Sequence, residues 1–91
     1  MGRMRVLIVE DELIVAMDIK NTLTRLGHTV TDSVSSSADA LAAVAQTRPD
    51  LVLMDILLRD SPDGIETARL IRERYDIPVV YLTAYADQTT L

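Results

Sequence analysis

The sequence predicts an α/β fold: a doubly wound parallel sheet of four strands with three to four helices. Three observations point there. Short β-rich runs alternate with helical stretches in the order βαβαβαβ. The connections between them are short. The runs Val6-Leu7-Ile8-Val9 and Leu51-Val52-Leu53-Met54 are apolar throughout rather than alternating, as strands covered on both faces are.

Taken in order, residues 5–10 form the first strand. Residues 12–26 read as a helix, with Ala16, Ile19, Leu23 and Leu26 on one stripe flanked by Leu13. Ile14, Val15 and Met17 lie off that stripe, which leaves their flank exposed. Gly27 closes the helix, and His28 is expected at a surface turn. Residues 29–34 suit a second strand. Ser35, Ser36 and Ser37 offer N-caps for a helix over 38–46, with Asp39 placed to favour its first turn. Pro49 ends that helix, and Asp50 leads into a third strand over 51–54. Residues 59–64 are turn chemistry. A third helix over 65–75 carries Ile65, Ala68, Ile71 and Tyr75 on one face. After a connector at 76–78, residues 79–82 form a fourth strand ending at Thr83. Residues 84–91 are a loop that opens a fourth helix.

The bulk numbers bound the function. A chain of 91 residues fits one domain, 1–91, and 48% apolar with 25% charged residues is a globular balance. Net charge −5 argues against nucleic acid or an anionic membrane as partner. The absence of cysteine excludes disulfides, thiol catalysis and Cys-type zinc sites, and is compatible with a reducing, cytoplasmic location. No apolar stretch approaches the ~18–20 residues needed to span a bilayer. The basic start, Met1-Gly2-Arg3-Met4-Arg5, meets acids too soon to be a signal peptide. Gly2 lacks the downstream Ser or Thr of a myristoylation signal.

The chemistry lies in the acids. Asp55 is wedged between apolar residues, where a carboxylate is costly without a partner. The first strand also runs into acid, Glu10-Asp11-Glu12. In a parallel sheet both ends fall on one edge, so Glu10, Asp11 and Asp55 converge. Crowded carboxylates require a cation, and Mg²⁺ prefers such oxygen ligands. Asp11 and Asp55 would bind it directly, with a backbone carbonyl just after Asp55, and Glu10 through water. Glu12 is expected to be simply solvated. An aspartate can also act as a nucleophile and form an aspartyl phosphate, and Thr83 could then hydrogen-bond a phosphoryl oxygen.

At this point the residues resemble a family, the receiver domains of two-component response regulators, whose fold is flavodoxin-like. The matching pieces are VLIVEDE (6–12), DLVLMDI (50–56), DGIE (63–66) and IPVVYLTA (77–84). The resemblance implies that Asp55 is the phosphoacceptor, charged by a histidine kinase, a phosphotransfer protein or a small phosphodonor. It implies Asp11 as direct and Glu10 as indirect Mg²⁺ ligand, with the Leu57 carbonyl completing the set. Thr83 becomes the switch residue, Ala84 keeps room beside it, and Gly64 permits the turn into the third helix. The domain would not be an enzyme, and its output would be an unspecified partner domain or protein.

The sequence also departs from that family. The lysine that pairs with the phosphoryl group, the fifth strand and the aromatic switch residue have no counterpart before Leu91, and Lys20 lies within the first helix. The loop after Asp55 is one residue longer than usual, with Arg59 in place of the customary proline, as in receivers of hybrid or multi-domain sensory kinases. A fragment, cut before the fifth strand, is the expected explanation. The fourth strand would then be an open edge, inviting self-association. Met54 is expected to be buried beside the site. Bulky Leu57, with Tyr85 as a gate, predicts slow loss of phosphate from the acyl phosphate. Two other phosphate-related readings fit less well. An aspartyl-phosphate phosphatase of the haloacid-dehalogenase type needs a second acid where Leu57 stands. A flavin domain needs a phosphate loop where Glu10-Asp11-Glu12 would repel phosphate. A phosphorylation-independent docking module has only the missing lysine in its favour.

Overall fold

The computed structural model describes residues 2–55 and 64–82. Its elements are β1 (Arg5–Val9), α1 (Leu13–Arg25), β2 (Thr29–Val34), α2 (Ser37–Thr47), β3 (Leu51–Asp55), α3 (Gly64–Tyr75) and β4 (Val79–Leu82). The strands form one parallel sheet in the order β2-β1-β3-β4. This is the predicted doubly wound arrangement, with β4 at an edge among the described residues.

Strand parity divides the core. Leu7, Val9, Val52 and Met54 point to one face and pack with Ala40, Ala43, Val44 and Ile71 of α2 and α3. Val6 and Ile8, of opposite parity, are buried on the face covered by α1. Full burial of both parities explains why β1 does not alternate.

The helix ends follow local chemistry. α1 closes in a Schellman arrangement: Gly27 takes φ 92°, the Gly27 N–H donates to Thr24 O and the His28 N–H to Leu23 O. Ser36 is the serine that caps α2, its Oγ accepting from the Asp39 N–H at 3.1 Å. The helix therefore starts at Ser37, one residue earlier than expected. At its other end Arg48 adopts φ 47° just ahead of Pro49. The Arg5 guanidinium donates to Thr47 O at 2.7 Å and Arg48 O at 2.8 Å, placing positive charge on the terminal carbonyls of α2.

Four expectations need correction. On α1, Leu13 and Leu26 are 75% and 69% exposed, because they stand at the two ends of the helix, away from the sheet; Ala16 is buried, and Ile19 and Leu23 are half-buried. On the exposed flank Ile14 and Met17 are as expected, but Val15 is half-buried. On α3, Ile65 is exposed and Thr67 is buried in its place. Ile65 lies about 120° round the helix from Ile71, whereas Gly64, Thr67, Ala68 and Ile71 share the inward stripe. His28 is not a surface turn residue: it is half-buried, and its Nδ1 accepts the Met4 N–H at 3.1 Å.

Candidate functional site: a carboxylate cluster at the sheet edge

β1 and β3 are adjacent and in register, Val9 opposite Met54, so the residues after them emerge side by side. The chain passes from β1 outward to β2, then back across β1 to β3. The reversal puts the switch point of strand order between β1 and β3, at their carboxyl ends. Ligands of such sheets bind there, and the three predicted acids occupy that place.

Carboxylate oxygens of Glu10, Asp11 and Asp55 all lie within 4.8 Å of one another. Asp55 is the last residue of β3, paired with Leu82 of β4, and is 7% exposed. Glu10 follows β1 and is equally buried, its N–H donating to Val34 O at 2.9 Å. Asp11 is half-buried, and Glu12 is exposed, as expected. Beneath the cluster, Val9 and Met54 are fully buried and exclude water.

That setting has an electrostatic consequence. Glu10 is pushed from 4.5 up to about 7, first by burial, then by the charge of Asp55, a hydrogen bond with it, and the charge of Asp11. The Glu12 N–H, donating to Glu10 Oε2 at 3.1 Å, pulls the other way and does not compensate. Near neutral pH, Glu10 therefore retains a proton for much of the time in the absence of a cation.

The donor set fits Mg²⁺. All three groups offer hard carboxylate oxygens, and their spread is close to the ~3–4 Å between ligand oxygens around an octahedral Mg²⁺. A cation would replace the proton on Glu10 and relieve the repulsion. The remaining predicted participants, Leu57, Thr83, Ala84 and Tyr85, lie outside the described residues, as does Arg59. Gly64 is the buried first residue of α3.

Sequence reasoning missed two supporting groups. One is the Val34 carbonyl that holds the Glu10 backbone; backbone acceptors leave no trace in side-chain chemistry. The other is a buried hydrogen bond between Ser37 and Thr67, 2.7 Å between hydroxyl oxygens. A polar residue on the inward stripe of α3 was the available signal for it.

The chain is similar to known proteins. Residues 6–91 match the response regulator receiver domain family. The regulator PhyR of Methylorubrum extorquens is 32% identical over 84 residues, covering 91% of this chain and 32% of PhyR. The crystal structure of PhyR from Brucella abortus superposes with TM-score 0.87 at 36% identity, over 96% of this chain and 36% of that one. The receiver domain of Erythrobacter litoralis PhyR superposes with TM-score 0.83 at 36% identity, over 98% of this chain and 69% of that one. This chain thus spans about a third of the full-length PhyR proteins it matches. With a family match over nearly its whole length and an acidic cluster at the switch point, the chain belongs to the receiver domains of response regulators.

Proposed function

We propose that this domain is a Mg²⁺-dependent phosphoacceptor switch of a His-Asp phosphorelay, with Asp55 as the residue that takes up phosphate. The observation that carries this is the convergence of half-buried Asp11 and buried Glu10 on buried Asp55 at the sheet edge. Asp55 supplies the attacking carboxylate oxygen; the new O–P bond of the acyl phosphate replaces the donor's P–N bond to histidine, or the P–O bond of a small acyl phosphate, and the imidazole or carboxylate leaves. Asp11 and Asp55 would hold the metal directly and Glu10 through water, with the Leu57 carbonyl as a further ligand. When bound, Mg²⁺ neutralises the cluster and the charge of the incoming phosphoryl oxygens. Thr83 would then hydrogen-bond the phosphoryl group and shift the population of a partner-binding conformation. The donor would be a histidine kinase, a phosphotransfer protein or a small acyl phosphate.

The domain accepts phosphate rather than turning over phosphate esters. Leu57, two residues after Asp55, is not the acid that an aspartyl-phosphate phosphatase requires. One relative supports a reading of the output. PhyR of Bartonella quintana, 34% identical over 96% of this chain, was crystallised in complex with the anti-sigma factor NepR. An intact protein carrying this domain would by likeness bind an anti-sigma factor when Asp55 is phosphorylated. Among the described residues β4 lies at an edge of the sheet, a position that supports self-association through that strand.

The test is labelling with a small phosphodonor. Wild-type protein takes up phosphate with Mg²⁺ and not with a chelator, and Asp55→Asn takes up none. Equal labelling of Asp55→Asn would refute the assignment.

A further inference from the structure

A buried polar pair sits where the fold is otherwise apolar. Ala40, Ala43, Val44, Ala68 and Ile71 are buried on the side of the sheet where α2 and α3 pack together. On the same side Thr67 Oγ1 donates to Ser37 Oγ at 2.7 Å, and both residues are 0% exposed. Two hydroxyls withdrawn from water lose hydration that their mutual bond only offsets, so an apolar pair of the same shape would hold the helices about as well. An apolar pair lacks direction, however. A hydroxyl–hydroxyl bond tolerates little sliding of one helix along the other.

The location of the pair gives that direction a use. Ser37 is the first residue of α2, directly after its N-cap Ser36. Three residues earlier stands Val34, whose carbonyl holds the N–H of Glu10. Thr67 lies in the first turn of α3, which starts at the same sheet edge. We infer that the Ser37–Thr67 hydrogen bond is a positioning element for the carboxylate cluster: it fixes the start of α2 and, through the Val34 carbonyl, the placement of Glu10. Its metal readout rests on the proposed Mg²⁺-dependent function, and its backbone readout does not.

The experiment compares Thr67→Val, Thr67→Ser and the double variant S37A/T67V in the full chain. Backbone hydrogen exchange is read without metal, and the Mg²⁺ dissociation constant by titration. In Thr67→Val and S37A/T67V the Glu10 amide exchanges about tenfold faster relative to the Leu7 and Ile8 amides, a local loosening rather than a global one. The Mg²⁺ dissociation constant rises about tenfold, the lower end of the range for groups that orient a metal ligand. Thr67→Ser keeps the hydroxyl and keeps wild-type values of both. The double variant guards against misfolding, because it removes both hydroxyls of this bond together.

Unchanged Glu10 exchange in the folded double variant overturns the inference. So does equal acceleration at Glu10, Leu7 and Ile8, which would mean lost stability alone, or faster Glu10 exchange with an unaltered Mg²⁺ constant. Wild-type protein that takes up no Mg²⁺ would instead sink the proposed function, and the Glu10 exchange would still decide whether the pair positions that residue.

Discussion

The two edges of the sheet handle charge in opposite ways. At the amino-terminal edge, polar groups find partners within the chain. The Arg5 guanidinium caps α2, the Asp50 carboxylate accepts the Arg5 N–H at 2.9 Å, and His28 Nδ1 accepts the Met4 N–H. Arg48 adds a cation–π contact, 5.0 Å above the Tyr75 ring. At the carboxyl-terminal edge, three acids converge over a dry floor and Glu10 is driven toward its neutral form. One edge is finished by the protein. The other gathers like charge into a donor set that a divalent cation would complete under the proposed function, and the lesson is that crowded like charge marks a candidate place for a fold's chemistry.

Substitutions can break this contrast. The largest effect is at Asp55: Asp55→Asn abolishes phosphodonor labelling, while relief of like-charge repulsion leaves the metal-free fold intact or more stable. Circular dichroism melts beside the labelling assay check both halves.

Next comes pH. Glu10 has a folded-state value of about 7 against an ordinary 4.5, so the folded protein holds the proton more tightly than the unfolded chain. The stability this contributes is full below about 4.5 and is lost as pH rises through about 7. Metal-free melting temperature therefore falls across that window. Saturating Mg²⁺ reverses the trend on the alkaline side, because the cation and the proton compete. Glu10→Gln flattens the metal-free profile. Melting curves across the window with and without Mg²⁺ decide the matter.

At the opposite edge, Arg5→Ala removes two hydrogen bonds to helix-end carbonyls and costs about 1–2 kcal/mol. Denaturant titration should show the same loss with and without Mg²⁺, since this edge has no stake in the cation. The smallest effect belongs to the exposed face of α3, where Arg69 pairs with Glu66 and Glu73. Glu73→Gln should leave both the melting temperature and the Mg²⁺ constant unresolved from wild type, as solvent-screened pairs do.

Much of this was legible in the sequence for identifiable reasons. β1 and β3 are apolar without alternation, and that alone set them in a sheet covered on both sides. Once they were parallel, Glu10, Asp11 and Asp55 had to meet at one edge. Helix faces were less legible. Leu13 and Leu26 fit the period of α1, but periodicity does not say where the sheet beneath the helix stops. Ile65 reads as a core residue by hydrophobicity, while Thr67 is buried because its hydroxyl finds Ser37, thirty residues away in the chain. His28 and Arg5 were missed for the same reason: their partners, Met4 and the end of α2, become neighbours only after folding.

The central claim is that the carboxyl-terminal edge is completed by a divalent cation. Titration of the metal-free chain with Mg²⁺ at neutral pH, followed through backbone amide resonances, tests it most directly. Saturable shifts centred on Glu10, Asp11 and Asp55, with Arg5, His28 and Asp50 unmoved and protons released on binding, are the predicted result. No saturable shift at those three acids in a folded sample, or equal shifts at both edges, would contradict it.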